Sequence, residues 1–198
     1  TVCYTKRNKL FTKWSVMQPI RHLTQVLTAL VDEEHYLFSL ADLQGALPGH
    51  APGALRAVVS RAEKSGLLRR VCRGLYLYPR TQYAKGLTLY RAAARLRADQ
   101  FNYISFETVL SDAGVISQIP LNWITVMSSG RSHIFKCGNF GSIEFIHTKK
   151  RPKELMYQLI YDTRCRMWRA SVALALKDMK VAKRSTELID WDAANELV

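Results

Sequence analysis

Apolar side chains in the first third of the chain recur at helical spacing in three stretches. The first stretch, residues 17–31, predicts an amphipathic helix. After a short extended piece at residues 36–38, Ser39 is followed three positions later by Asp42, which is the spacing of a capping box at the start of a second helix. Pro52 suits the first position of a third helix, and Gly66 suits its left-handed end. The apolar stripe of the first helix consists of Ile20, Leu23, Val26, Leu27 and Leu30.

The third predicted helix has two contrasting faces. We expect its apolar face to be buried, and that face consists of Leu55, Val58, Val59 and Ala62. The opposite face combines small residues with cations at its edges, which allows close approach to a large partner. Its members are Gly53, Ala57, Ser60 and Lys64, flanked by Arg56 and Arg61. Glu63 is the only acid on this helix, whereas an ordinary surface helix more often carries Glu and Lys together.

Two β-rich runs, LLRRV and LYLY, follow the third helix and are joined by Cys72, Arg73 and Gly74, which predicts a tight hairpin. Three helices followed by a basic hairpin is the element order of a winged helix-turn-helix domain, whose third helix enters the major groove of DNA. We therefore expect Arg56 and Ser60 to face base edges and the hairpin arginines to meet phosphates. The predicted DNA-binding residues are Arg56, Ser60, Arg61, Lys64, Arg69, Arg70 and Arg73. The alternative is that the helix only packs and the hairpin is only solvated.

The second part of the chain has its own pattern. Residues 79–86, PRTQYAKG, resemble a linker, so the predicted domains are residues 1–80 and 87–198. A helix is predicted at 87–99, and a short helix capped by Ser105 ends at Gly114. The runs WITVM, HIFKC and IEFIH predict a small antiparallel sheet. The predicted fold class is therefore α+β: an N-terminal winged helix-turn-helix domain followed by a smaller α/β domain with an antiparallel sheet.

The last quarter of the chain leaves one choice open. Residues 157–163 are compatible with a strand or with a helix that begins at Lys153. Residues 168–179 predict a helix, and a final short helix is expected after Asp190.

The net charge of the chain indicates what kind of partner it binds. The 198 residues carry a formal net charge of +13, which indicates a polyanionic partner, with a merely soluble basic protein as the alternative. Two further basic clusters either extend the DNA footprint or form a solvated face. These clusters are Arg91, Arg95 and Arg97, and Lys149, Lys150 and Arg151. No apolar run approaches the roughly 18 residues that a membrane span needs, and the start of the chain is too polar for the core of a signal peptide.

Candidate catalytic and metal-binding patterns are weak. The four cysteines lie far apart, which favours reduced thiols in a cytoplasm over a disulfide frame or a zinc site. His133 and His147 lie on predicted strands without a Ser or Cys nucleophile at a known spacing. The DWD sequence at 190–192 lacks the upstream glycine of a nucleotidyltransferase, so a helix cap at Asp190 is the better interpretation. We therefore predict no enzymatic activity, no cofactor and no metal.

Several stretches together resemble a known protein family. SRAEKSGLLRRVCRGLYLY, YISFETVLSDAGVISQIP and ITVMSSGRSHIFKCGNFGSIEFIHTKK are similar to the pattern of AbiEi-type antitoxins of type IV toxin–antitoxin pairs, which act in abortive phage defence. The resemblance covers roughly residues 20–180. The chain departs from the pattern at DTRCRMWRASVALALKDM, where only the later Ala, Leu and Asp178 match.

The resemblance implies a DNA-binding antitoxin that represses its own promoter from a double-stranded operator and counteracts a cognate nucleotidyltransferase-type toxin. In the family, such antagonism is generally thought not to need a stable complex with the toxin. A cytoplasmic protein without a membrane partner is expected. The alternative is a winged-helix transcription factor of a mobile element with no antitoxin role, and a toxin gene immediately downstream would distinguish the two.

Overall fold

The computed structural model describes residues 18–117 and 122–198. Met17, the first residue of the first predicted helix, and the polar start of the chain lie outside these ranges. Residues 18–80, here called the N-terminal unit, contain three helices and three strands. In chain order these are α1 (Pro19–Leu30), β1 (Leu37–Ser39), α2 (Leu40–Ala46), α3 (Pro52–Lys64), β2 (Arg69–Cys72) and β3 (Leu75–Leu77).

The local signals for these helices are confirmed. The Asp42 backbone N–H donates to Ser39 Oγ at 3.2 Å, and the Ser39 N–H donates to Asp42 Oδ2 at 2.6 Å, which completes the capping box of α2. Pro52 is the first residue of α3, and Gly66 follows its end with a φ of 71°. Both ends of α3 therefore follow from residues that favour those conformations.

The three strands of the N-terminal unit form an antiparallel sheet in the order β1-β3-β2. The hairpin between β2 and β3 turns at Arg73 and Gly74, and Gly74 has a φ of 80°, which disfavours any residue with a Cβ. One face of the sheet packs against the three helices. That core includes Leu23, Leu43, Leu55, Val59, Leu68 and Tyr78.

The other face of this sheet packs against residues 87–198, here called the second unit. Leu37, Val71 and Leu77 of the sheet share one continuous apolar core with Ala92 and Phe145 of the second unit. Ion pairs add to this contact: Arg95 binds Asp42, and both Arg91 and Arg166 bind Glu34. The apolar core therefore contains residues from both sides of the predicted linker at residues 79–86. The division into domains at 80 and 87 stays a prediction.

The second unit is an α/β layer built on a six-stranded sheet in the order β6-β7-β5-β4-β9-β8. The helices pack mainly on its faces, with α5 between α7 and β5. The second unit is larger than the N-terminal unit, so the prediction of a smaller second domain is wrong. In chain order the elements are α4 (Thr88–Leu96), β4 (Asn102–Ile104), α5 (Phe106–Asp112), β5 (Trp123–Ser128), β6 (His133–Lys136), β7 (Ser142–His147), α6 (Pro152–Leu155), β8 (Leu159–Asp162), β9 (Met167–Ala170), α7 (Val172–Val181) and α8 (Trp191–Glu196).

This sheet is mixed, so the prediction of an antiparallel sheet is wrong in part. Strands β5 and β7 pair in parallel, as do β4 and β9, whereas the other pairs are antiparallel. Pairing of β5, β6 and β7 in chain order would give an antiparallel sheet, but the observed order places β7 between β5 and β6. The side chains of β6 are largely exposed, so β6 forms the edge of the sheet, and the more buried β7 lies beside β5.

Three local predictions in the second unit need correction or completion. Trp168 to Ala170 belong to β9, and the helix predicted over 168–179 begins only at Val172, where Ser171 caps it by accepting a hydrogen bond from the Leu174 N–H at 3.2 Å. The open choice at residues 153–163 resolves into both elements, α6 followed by β8. Ser105 precedes α5 without capping it, because its hydroxyl donates to the buried Asp178 at 2.8 Å.

Candidate nucleic-acid interface

Helix α3 presents the two faces that the sequence predicts. Leu55, Val58, Val59 and Ala62 are each at most 2% exposed and pack on the core of the N-terminal unit. The opposite side of α3 is open to solvent, and its exposed members are Gly53, Arg56, Ala57, Ser60, Arg61 and Lys64. The interior of this face is formed by small side chains, so a flat or grooved partner can approach the helix backbone closely.

The turn before α3 is held by a residue that sequence reasoning missed. Gln44 Nε2 donates to the carbonyl oxygens of Leu47 at 3.1 Å and of His50 at 2.9 Å. These two bonds fix the connection between α2 and α3 and so set the direction of α3. A glutamine in the last turn of a short helix carries no distinctive sequence signal, because its bonds depend on the path of the following loop.

The N-terminus of α3 is electropositive. Its first residue is Pro52, the preceding Ala51 offers no side-chain cap, and its first turn contains no acid. Backbone N–H groups at such a helix start are left free of side-chain partners, and together with the helix dipole they attract anions.

The arginines of the β2–β3 hairpin, here called the basic hairpin, point in different directions. Successive strand residues point to opposite faces of a sheet. Arg69 lies opposite Leu77, and its guanidinium carbon lies 4.6 Å from the centroid of the Phe140 ring in the second unit. Arg70 lies opposite Tyr76 on the helix-facing side, and its Nε donates a long bond of 3.4 Å to the Cys72 carbonyl. Arg73 is exposed in the turn.

Within residues 18–117 and 122–198, six of the seven predicted residues form no hydrogen bond or ion pair with another side chain, and the seventh, Arg69, stacks on Phe140. All seven are exposed. Because Arg69 stacks on Phe140, it also contributes to the contact between the two units.

The exposed cations of this surface lack protein counter-charges. All 16 acidic residues fall within the described ranges. Among the described residues, none of the predicted interface cations forms an ion pair within 4 Å. These cations are Arg56, Arg61, Lys64, Arg69, Arg70 and Arg73. The charges of all of them except Arg69, which stacks on Phe140, are therefore available to an external anion.

The cluster of Arg91, Arg95 and Arg97 differs from both alternatives considered from the sequence. Arg91 and Arg95 pair with Glu34 and Asp42 of the N-terminal unit, and Arg97 is only 7% exposed. Arg95 is exposed but paired, Arg91 is half-buried and Arg97 is buried, so the cluster does not form a face of free cations. In the second cluster, Lys150 pairs with Asp178 at 2.6 Å, while Lys149 and Arg151 are exposed.

The weaker catalytic candidates occupy ordinary structural positions. Asp190 caps α8 by accepting hydrogen bonds from the N–H groups of Asp192 and Ala193 at 3.0 and 3.1 Å, as predicted. His133 and His147 lie on strands β6 and β7. Within residues 18–117 and 122–198, no group of three or more His, Cys, Asp or Glu side chains is arranged to hold a metal ion.

Cys72, Cys137 and Cys165 are buried free thiols, and Cys3 lies outside the described residues.

In the part of the chain that the structure describes, the helices are too short or too polar to cross a lipid bilayer.

One protein-family model matches the part of the chain that contains α3 and the basic hairpin. No curated protein matches this sequence. The matching family is described as a transcriptional regulator, AbiEi antitoxin, and the match covers residues 25–79. It ends before the YISFETVLSDAGVISQIP block, so the resemblance of the second unit stays a prediction. Residues 25–79, which include α3 and the basic hairpin, are thus similar to the AbiEi antitoxin family of transcriptional regulators.

Proposed function

We propose that the N-terminal unit is a winged helix-turn-helix domain that binds duplex DNA through α3 and the basic hairpin. The observation that carries this proposal is the set of exposed cations on α3 and the hairpin that have no acidic partner in the described residues. The order of three helices and a two-stranded hairpin, with α3 presenting its small and basic face, supports the same assignment.

In this arrangement the two elements have different tasks. Helix α3 lies in the major groove, where the guanidinium of Arg56 and the hydroxyl of Ser60 meet base edges. Arg61 and Lys64 at the edge of α3, together with Arg70 and Arg73 of the basic hairpin, bind phosphates. The free N–H groups at the start of α3 add a further phosphate contact.

We further propose that the protein is a non-catalytic antitoxin that represses its own promoter and counteracts a cognate nucleotidyltransferase-type toxin. The family match of residues 25–79 supports the regulatory part. The toxin-directed part is assigned to the second unit. A winged-helix transcription factor of a mobile element is the second candidate, and the absence of a toxin gene beside this one would favour it.

Co-expression with the product of the neighbouring gene tests the antitoxin proposal. The full chain should rescue growth, and the triple variant Arg56→Ala, Ser60→Ala and Lys64→Ala should lose repression while it keeps protection. The three side chains are exposed, so the fold should survive, and circular dichroism checks this before growth is measured. If the folded triple variant loses protection as completely as repression, the second unit has no separate role. If the wild type protects against no neighbouring gene product, the transcription-factor candidate replaces this one.

A further inference from the structure

A second cationic pocket lies in the second unit, away from α3 and the basic hairpin. It forms where the loop after β5 passes the end of α4 and the end of β7, and it has an open volume of about 670 Å³. Its lining residues are Arg97, Gln100, Ser129, Gly130, Arg131, Ser132 and His147. No acidic side chain lines it, although two arginines do.

Arg97 is a buried cation without a carboxylate partner. Its side chain is covered on one side by Phe145, whose ring centroid lies 3.9 Å from the guanidinium carbon, and its Nη2 donates to the Arg131 carbonyl at 2.5 Å. Its Nη1 is buried and has no hydrogen-bond partner among the described residues. Desolvation lowers the pKa of Arg97, with Asp99 acting in the opposite direction. A buried charge in this state is costly unless an anion compensates it.

Two serine hydroxyls line the pocket and have O–H hydrogens without an acceptor among the described residues. Ser129 Oγ accepts a hydrogen bond from the Phe101 N–H at 3.2 Å, and Ser132 Oγ accepts one from the His147 N–H at 2.9 Å. Each hydroxyl also carries one O–H hydrogen, which can be donated to a bound acceptor. The Gly130 carbonyl accepts from His147 Nδ1 at 2.9 Å, which places the proton of a neutral ring on Nδ1.

The glycine of this loop lies against the side chains of Gln100 and Arg97. A Cβ at Gly130 would lie 1.9 Å from Gln100 Oε1 and 3.1 Å from Arg97 Nη1. The backbone of the loop therefore passes close to Arg97, and a larger residue at position 130 would require the Gln100 side chain to move. Arg131 follows directly, is exposed and has no ion pair in the described ranges.

We propose that this pocket binds a phosphate group, held by the Arg131 guanidinium and the Ser129 and Ser132 hydroxyls, with the charge of Arg97 behind them. A tetrahedral oxyanion offers only acceptors, which matches a pocket that offers two cations and two free hydroxyl donors. The phosphate belongs either to a nucleic-acid backbone or to a free phosphate or nucleotide. The site shares no residue with α3 or the basic hairpin, so it is independent of the proposed DNA contacts there.

Thermal unfolding of the full chain in inorganic phosphate, compared with chloride at equal ionic strength, tests the free-phosphate source. A ligand that binds the folded state raises the unfolding temperature with concentration. Arg131→Ala is the test variant because the side chain is exposed and the fold does not depend on it. Lys136→Ala is the matched control, since it removes one exposed positive charge from β6 outside the pocket. Arg131→Ala should weaken phosphate binding about tenfold or more, and Lys136→Ala should leave it unchanged.

The salt dependence of DNA binding by the same three proteins tests the nucleic-acid source. If the phosphate is part of DNA, Arg131→Ala reduces the slope of log affinity against log salt by about one, while Lys136→Ala does not. If it is free, Arg131→Ala changes phosphate binding and leaves the DNA slope intact. The proposal is overturned if Arg131→Ala matches Lys136→Ala in both assays. Failure of the α3 variants to affect DNA binding would refute the proposed DNA interface and leave this result unaffected.

Discussion

Removal of the two free arginines of the basic hairpin should reduce the salt dependence of DNA binding by a calculable amount. In the proposed complex, Arg61, Lys64, Arg70 and Arg73 bind phosphates, because Arg56 meets bases and Arg69 stacks on Phe140. Four neutralised phosphates per chain give a slope of log affinity against log salt of about −3.6. A rise from about 50 to about 200 mM salt then weakens binding about 150-fold. The variant Arg70→Ala with Arg73→Ala should have a slope of about −1.8 and weaken only about 12-fold.

Fluorescence anisotropy of the full chain on a labelled duplex measures these slopes. The control variant, Lys136→Ala with Lys177→Ala, removes two exposed charges from the second unit and should keep the wild-type slope. Arg69→Ala should also keep the slope, and it should destabilise the fold by about 0.5–1 kcal/mol through the lost stacking on Phe140. A slope that is unchanged when Arg70 and Arg73 are removed would refute the assignment of the basic hairpin to phosphates.

Two further predictions concern stability and are measured by urea denaturation. Leu55→Ala leaves a cavity beneath α3, because Leu55 is only 2% exposed, and should lower the free energy of unfolding by about 2–5 kcal/mol. A loss below about 1 kcal/mol would show that Leu55 does not anchor α3. Desolvation raises the pKa of Asp42, but hydrogen bonds from Ser39 and Arg95 outweigh it, so the folded-state pKa lies below the unfolded value. Asp42 therefore adds stability above the unfolded pKa and loses it as the pH falls through the folded pKa. The stability difference between wild type and Asp42→Asn should shrink in acid below about pH 4, and a difference independent of pH would contradict this.

The features that could be predicted from the sequence are those fixed by neighbours along the chain. The capping box of Ser39 and Asp42, the proline start and glycine end of α3, and the cap at Asp190 each depend on residues within a few positions. The two faces of α3 follow from helical periodicity alone.

The features that could not be predicted depend on contacts between distant residues. Arg95 pairs with Asp42, which lies 53 positions away in the sequence, so the local pattern does not predict that Arg95 joins the two units. Strand alternation places Arg69 and Arg70 on opposite faces of the sheet, but the partner of Arg69, Phe140, follows it by about 70 positions and lies in the second unit. The parallel pairing of β5 with β7 depends in the same way on which strand the rest of the fold buries.

Binding of the full chain to its own promoter, compared with a scrambled duplex of the same length and composition, tests directly whether α3 reads DNA sequence. The promoter should be bound more tightly, and Arg56→Ala or Ser60→Ala should reduce this preference by about 1–3 kcal/mol while binding to the scrambled duplex changes little. Equal affinity of the wild type for both duplexes, with no effect of either substitution, would contradict the assignment of α3 as the element that reads DNA sequence.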